Sequence, residues 1–95
     1  MGNYKLSPQA EEDLYHIWLY GVHRFGEAQA DKYYFAFFEQ FEIIGEQPYL
    51  FAAVDYIRAG YRRSPCGVDS IYYRIVNNSV EIMNIGQQDT NTIFK

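Results

Sequence analysis

Residues Leu14, Ile17, Trp18, Gly21, Val22 and Phe25 follow the i, i+3, i+4, i+7, i+8, i+11 spacing of one helical face, and that stripe ends at Phe25-Gly26. Ser7-Pro8 marks its start, with the Ser7 hydroxyl as N-cap acceptor and Pro8 at the first helical position, where a missing N–H costs nothing. Glu11, Glu12 and Asp13 favour the positive end of the helix dipole. A second stripe, Ala30, Tyr34, Phe37, Phe38, Phe41 and Ile44, predicts a helix from Glu27 to about Gly45, closed by Gln47-Pro48. Two helices of similar length joined at one glycine form an antiparallel hairpin.

On either side of the helices the pattern is extended. Tyr4-Lys5-Leu6 alternates and predicts a short first strand. After a loop from Tyr49 to Asp55, Ile57 to Ser64, Ser70 to Val76 and Val80 to Ile85 read as three strands, rich in β-branched and aromatic residues. Pro65 to Asp69 forms the loop between the first two of these, and Asn77-Asn78-Ser79 the tight turn between the last two. The expected architecture is α+β, in the order β-α-α-β-β-β. A helical hairpin lies across one face of a small antiparallel sheet, with the first strand at its edge.

Ninety-five residues, 48% hydrophobic and 21% charged, predict one folded domain, 1–95, and exclude a disordered chain. A chain this small buries only about 60–65% of its surface, yet this one carries ten Tyr, seven Phe and one Trp. Part of that aromatic excess is therefore expected to serve a partner. Tyr15, Leu19 and Tyr20 on the first helix, with Phe35 and Ile43 on the second, fall outside the core arcs and are the candidate docking residues.

The lone Cys66 forms no internal disulfide, and nothing in the sequence supplies a base to activate it; a reducing, cytoplasmic setting is expected. No stretch reaches the roughly 20 apolar residues of a membrane span. His16 and His23 lie seven apart on the helix face away from Leu14 and Ile17, without the i, i+4 spacing or further ligands of a metal site. No metal, cofactor or catalytic carboxylate pair is expected. The net charge of −4 hides a division: up to Tyr56 the chain carries −6, and from Ile57 onward +2. Arg58, Arg62, Arg63 and Arg74 all fall in the strand-forming half. Arg58 and Arg62 share strand parity, Arg74 is expected to cross toward them from the next strand, and Arg63 faces the other way. Two readings stay open for these arginines: bidentate clamps for phosphates or carboxylates, or surface pairing with Asp69, Glu81 and Asp89.

The segments Tyr4-Lys5-Leu6-Ser7-Pro8 and Ala10-Glu11-Glu12-Asp13-Leu14, then Gly60-Tyr61-Arg62-Arg63-Ser64-Pro65, Ser70-Ile71-Tyr72-Tyr73-Arg74-Ile75 and Val80-Glu81-Ile82, resemble in order and spacing the ParE toxins of the RelE/ParE superfamily. That resemblance spans Tyr4 to Gly86. It implies the toxin of a bacterial type II toxin–antitoxin pair, serving plasmid or chromosome stabilisation. A folding-upon-binding antitoxin would neutralise it as a hetero-oligomer, contacting Tyr15, Leu19, Tyr20, Phe35, Ile43 and Arg58. It further implies inhibition of DNA gyrase without catalysis or sequence-specific nucleic-acid binding by the toxin alone, with Arg62, Arg63 and Arg74 as target-binding or functional residues. The alternatives are a ribosome-dependent mRNA endonuclease of RelE type and a non-toxic antitoxin-binding domain. The residues disfavour the nuclease: Gly86 to Lys95 holds no His or Tyr, Asp89 carries the wrong sign beside a phosphate, and no lysine lies between Ile57 and Phe94.

Overall fold

The computed structural model describes residues 3–87. Strand β1 (Tyr4–Leu6) leads into helices α1 (Pro8–Phe25) and α2 (Glu27–Glu46), followed by strands β2 (Arg62–Cys66), β3 (Asp69–Val76) and β4 (Ser79–Gln87). The helix bounds follow from local chemistry. The Ser7 hydroxyl accepts the Ala10 N–H at 3.0 Å and donates to the Met83 carbonyl at 2.9 Å, so one side chain both caps α1 and ties it to β4. Gly26, at φ 93°, ends α1 and admits the immediate start of α2.

The four strands lie in the order β1-β4-β3-β2. The expected meander β2-β3-β4 is present and β1 holds an edge, but β1 pairs parallel to β4 and not antiparallel, so the sheet is mixed. The long connection that a parallel pair requires is made by the helical hairpin together with β2 and β3, which all lie between β1 and β4 in the chain. The β3–β4 turn is two residues, Asn77 at φ 52° and Asn78 at φ 63°, the left-handed geometry that matches strand twist.

Two further boundaries differ from the sequence reading. Residues from Val54 to Tyr61 form successive turns, closed by Ile57 and Arg58 N–H groups on the Val54 carbonyl and by the Gly60 N–H on Asp55. Strand β2 therefore begins at Arg62, and Arg58 lies in the connection. At its other end β2 continues through Pro65 and Cys66, leaving only Gly67 and Val68 as the turn. Pro65 is tolerated there because β2 is an edge strand.

The core lies between the hairpin and the sheet. Ala10 and Leu14 of α1 and Phe37, Phe41 and Ile44 of α2 pack on Ile71, Tyr73, Val80, Ile82 and Ile85. A bulge in β4 makes this pattern work. Tyr73 pairs with Ile82 but Tyr72 with Asn84, so Met83 is an extra residue, and Ile85 rather than Asn84 turns inward. Beside the bulge, Asp13 Oδ2 accepts the Ile85 N–H at 2.9 Å. Asp13 thus holds α1 on β4 in addition to facing its helix dipole. The opposite sheet face has its own cluster, in which Val54 and Tyr61 of the connection cover Tyr72. Both Tyr72 and Tyr73 are consequently fully buried, one on each face.

The β2–β3 turn is tightly constrained. Gly67 has φ +60°, and a Cβ there would come within 2.5 Å of the Tyr33 ring. Gly67→Ala is expected to lower unfolding stability by about 2 kcal/mol or more, measured by urea denaturation. Gly26→Ala, at a positive φ with nothing near its Cβ, is expected to cost less.

Candidate functional site: the hairpin surface and the sheet arginines

The antiparallel helices leave a groove of about 620 Å³ beside β1. Leu6, Leu14 and Phe38 line it from below, and Tyr15, Trp18, Tyr34 and Phe35 form its walls. Tyr15 and Phe35 are 55% and 63% exposed, which is a large uncovered aromatic area for so small a chain. The Trp18 indole N–H donates to Asp31 Oδ1 at 2.8 Å, crossing from α1 to α2 and fixing the width of the groove. Glu11 and Asp31 are the lining residues charged at neutral pH, and both are acids.

A second cavity of about 670 Å³ adjoins the first at Leu14, Trp18 and Tyr34 and runs to the β2–β3 turn and the end of β4. Tyr20, Arg24 and Phe25 border it on α1, Val68 on the turn and Asp69 at the start of β3. Its wall is held by Tyr33, whose hydroxyl lies 2.7 Å from Asp69 Oδ2 and 2.9 Å from the Cys66 carbonyl. Burial raises the Asp69 carboxyl above its ordinary value, and the Tyr33 hydrogen bond opposes that only in part. Burial also pushes the Cys66 thiol up to about 11, with the Asp69 charge adding to it, so the thiol stays protonated at neutral pH.

The candidate docking residues are thus divided. Tyr15 and Phe35 meet in the first groove, Tyr20 borders the second, and Leu19 is half-buried. Ile43 is exposed on α2 but lines neither cavity. Arg58 also lines neither cavity and lies in the connection after α2, its guanidinium 5.5 Å from the Tyr61 ring centroid. The sequence reading missed Trp18, Tyr34 and Phe38 as groove residues, having placed them on the core stripes. Wide aromatic side chains do both, with one edge packed and the other lining the groove.

The arginines do not form the stripe that strand parity suggested, because Arg58 precedes β2. Arg62 turns to the helical side, where its Nη1 donates to the Phe51 carbonyl at 2.7 Å and its guanidinium stacks 4.9 Å from the Tyr49 ring centroid. It clamps the connection onto the β2 edge, where Ala53 also bridges to Arg62 and the Arg63 N–H donates to Ala52. The Tyr73 hydroxyl, pushed up to about 12 mainly by burial, donates to the Pro48 carbonyl and anchors the start of the same connection. Arg74 lies on the opposite face, its Nε donating to Glu81 Oε1 at 2.7 Å, while Lys5 approaches Glu81 Oε2 at 3.7 Å. That pairing, the Arg74 hydrogen bond first, lowers the Glu81 carboxyl. Arg74 and Glu81 therefore pair as the surface reading of the arginines expected, whereas Asp69 bonds Tyr33 instead and Asp89 lies outside the described residues. Arg63 points to the sheet face shared with Arg74. Among the described residues no group of three His, Cys, Asp or Glu side chains is placed to hold a metal ion, and no helix is long and apolar enough to cross a membrane. Of the C-terminal tail, residues 88–95 lie outside the described residues.

The sequence matches the family described as the ParE toxin of the type II toxin–antitoxin system parDE over residues 4–92. It is 37% identical over 91 residues to Toxin ParE1 of Caulobacter vibrioides, covering 96% of this chain and 94% of the relative. It is 29% identical over 86 residues to Toxin ParE1 of Mycobacterium tuberculosis, covering 90% and 88%. Among solved structures, a chain of the chromosomal ParDE system from P. aeruginosa superposes with a TM-score of 0.80 at 21% identity, covering 92% of this chain and 96% of that one. A chain of the RelBE2 toxin–antitoxin complex from Mycobacterium tuberculosis gives 0.60 at 17% identity, covering 92% and 98%. These two share the fold.

Because its raised carboxyl releases a proton only at a cost in the folded state, Asp69 contributes stability that is fully present below the ordinary Asp value near 3.8 and is lost as pH rises through the folded value. Asp69→Asn is expected to remove that component. The difference in unfolding free energy between variant and wild type should move in the variant's favour as pH rises from about 3.8, then level off. A difference that stays flat across that range would overturn the assignment.

Proposed function

Since this chain belongs to the ParE toxin family and is a toxin of a type II toxin–antitoxin system, we propose that it arrests growth by inhibiting DNA gyrase without catalysis and is neutralised by an antitoxin segment that folds onto the helical hairpin. The observation carrying the first half is the occupation of the arginines. Cleavage of RNA needs basic groups presented to a phosphate and groups that move protons. Arg62 is committed to the Phe51 carbonyl and Arg74 to Glu81. That leaves Arg63, on the sheet face it shares with the Arg74–Glu81 pair, as the arginine for meeting a protein target, with Arg62 turned to the other face.

The second half rests on the exposed aromatics of the first groove. A disordered segment gains most by burying an apolar stripe in a preformed groove, since each backbone residue it orders costs about 1–2 kcal/mol. Tyr15 and Phe35 supply the centre of that contact, and Tyr20, bordering the adjoining cavity, extends it along the hairpin. The antitoxin is the cytoplasmic partner of this hetero-oligomer.

Induced expression in a bacterial host lacking the antitoxin is expected to stop growth and switch on an SOS reporter while messenger half-lives stay unchanged. Rapid message loss that disappears in Arg63→Ala or Arg74→Ala would move the function to the ribonuclease class, and unimpaired growth would leave a binding domain without toxic action. Phe35→Asp is expected to weaken antitoxin binding about 100-fold, measured by calorimetry, while its thermal unfolding stays within a few degrees of wild type because the side chain is exposed.

A further inference from the structure

The helical half is electrically one-sided. Helices α1 and α2 carry eight acids, Glu11, Glu12, Asp13, Glu27, Asp31, Glu39, Glu42 and Glu46, against two bases, Arg24 and Lys32. The imbalance reaches the first groove. Its lining includes Glu11 and Asp31 and no basic side chain. Glu11 makes no ion pair among the described residues, and Asp31 has the Trp18 indole as its hydrogen-bond donor, which leaves its negative charge unneutralised. The ion pairs Lys5–Glu81 and Arg74–Glu81 both lie on the sheet.

Resting on the reading that an antitoxin segment fills this groove, we propose that the segment is an amphipathic helix carrying Lys or Arg beside its apolar face, its cations reaching Glu11 and Asp31. The apolar residues cover Tyr15, Phe35 and Phe38. As they do, they displace water from the rim and strengthen the attraction between charges there. An acidic segment is rejected by the same effect, because it would bring like charges together in a partly desolvated groove. Apolar contact then supplies affinity, and the acidic rim selects among partners that have equally apolar faces. Arg62 and Arg74, occupied by Phe51 and Glu81, are not the main electrostatic contact of the antitoxin.

The test uses the intact chain and two synthetic helical peptides of about 16 residues, roughly four and a half turns. Both have Leu at i, i+3, i+4 and i+7 positions, and their flanking positions are Lys in one and Glu in the other. The Lys peptide is expected to bind roughly tenfold or more tightly than the Glu peptide. Glu11→Gln, or about 0.5 M salt with its Debye length of roughly 4 Å, should shrink that preference. Glu27→Gln removes the same charge at the hairpin tip, outside the groove lining, and should leave it intact. Phe35→Asp should abolish binding of both peptides. Equal affinities in wild type, or a preference untouched by Glu11→Gln, would overturn the charge assignment while leaving the groove as the docking site. Binding that survives Phe35→Asp would overturn the groove itself. Sedimentation of the chain alone completes the test: a dimer dispersed by Phe35→Asp would show that the groove is filled by a second copy, and would overturn the proposal as well.

Discussion

The seating of α1 on β4 sets the geometry of everything above the sheet. Two side chains do it. Ser7 caps the helix and bonds the Met83 carbonyl, and Asp13, one and a half turns later, takes the Ile85 amide. Both partners lie beside the β4 bulge, where strand pairing shifts and backbone groups become available to side chains. With α1 held at two points along β4, α2 must lie where its Phe37, Phe41 and Ile44 find the rest of the sheet. The spacing between the helices, and so the groove between them, follows from that placement and from the Trp18–Asp31 bond across it.

Among the described residues, helices cover one sheet face and a connecting segment the other, and none covers the outside of the helices. Val54 and Tyr61 take the second role against Tyr72. The arginine-clamped connection serves this coverage too, since Arg62 and Tyr73 fix its near end through the carbonyls of Phe51 and Pro48. The aromatic excess remaining on the hairpin is the part the fold cannot absorb, and it is concentrated where a partner has access.

Local signals made the helices and the β3–β4 turn legible in the sequence. Ser7-Pro8 and Gly26 act within a few residues of themselves, and Asn77-Asn78 meets a backbone requirement of its own turn. The features that escaped are non-local. The parallel β1–β4 pairing joins segments more than 70 residues apart, and the Met83 bulge shows only as two isoleucines three apart where alternation wanted two. The residues from Ile57 to Tyr61 read as a strand because alternation survives in a turn whose side chains cover a sheet face. Parity arguments for the arginines failed with that boundary: one misplaced strand start moved Arg58 off the sheet. Of the candidate site, the exposed members were readable from helix periodicity. The groove itself was not, because Trp18, Tyr34 and Phe38 serve both the interior and the surface.

The two sheet edges are unequal. The outer side of β2 is occupied by residues 52–53, while β1 is three residues long and ends at the Ser7 cap. A strand so short offers few hydrogen-bonding positions to a neighbouring chain, so recruitment of further strands along that edge has little to build on. The backbone of the described sheet edges thus offers a neighbouring chain little, while the exposed aromatic side chains of the hairpin offer it much.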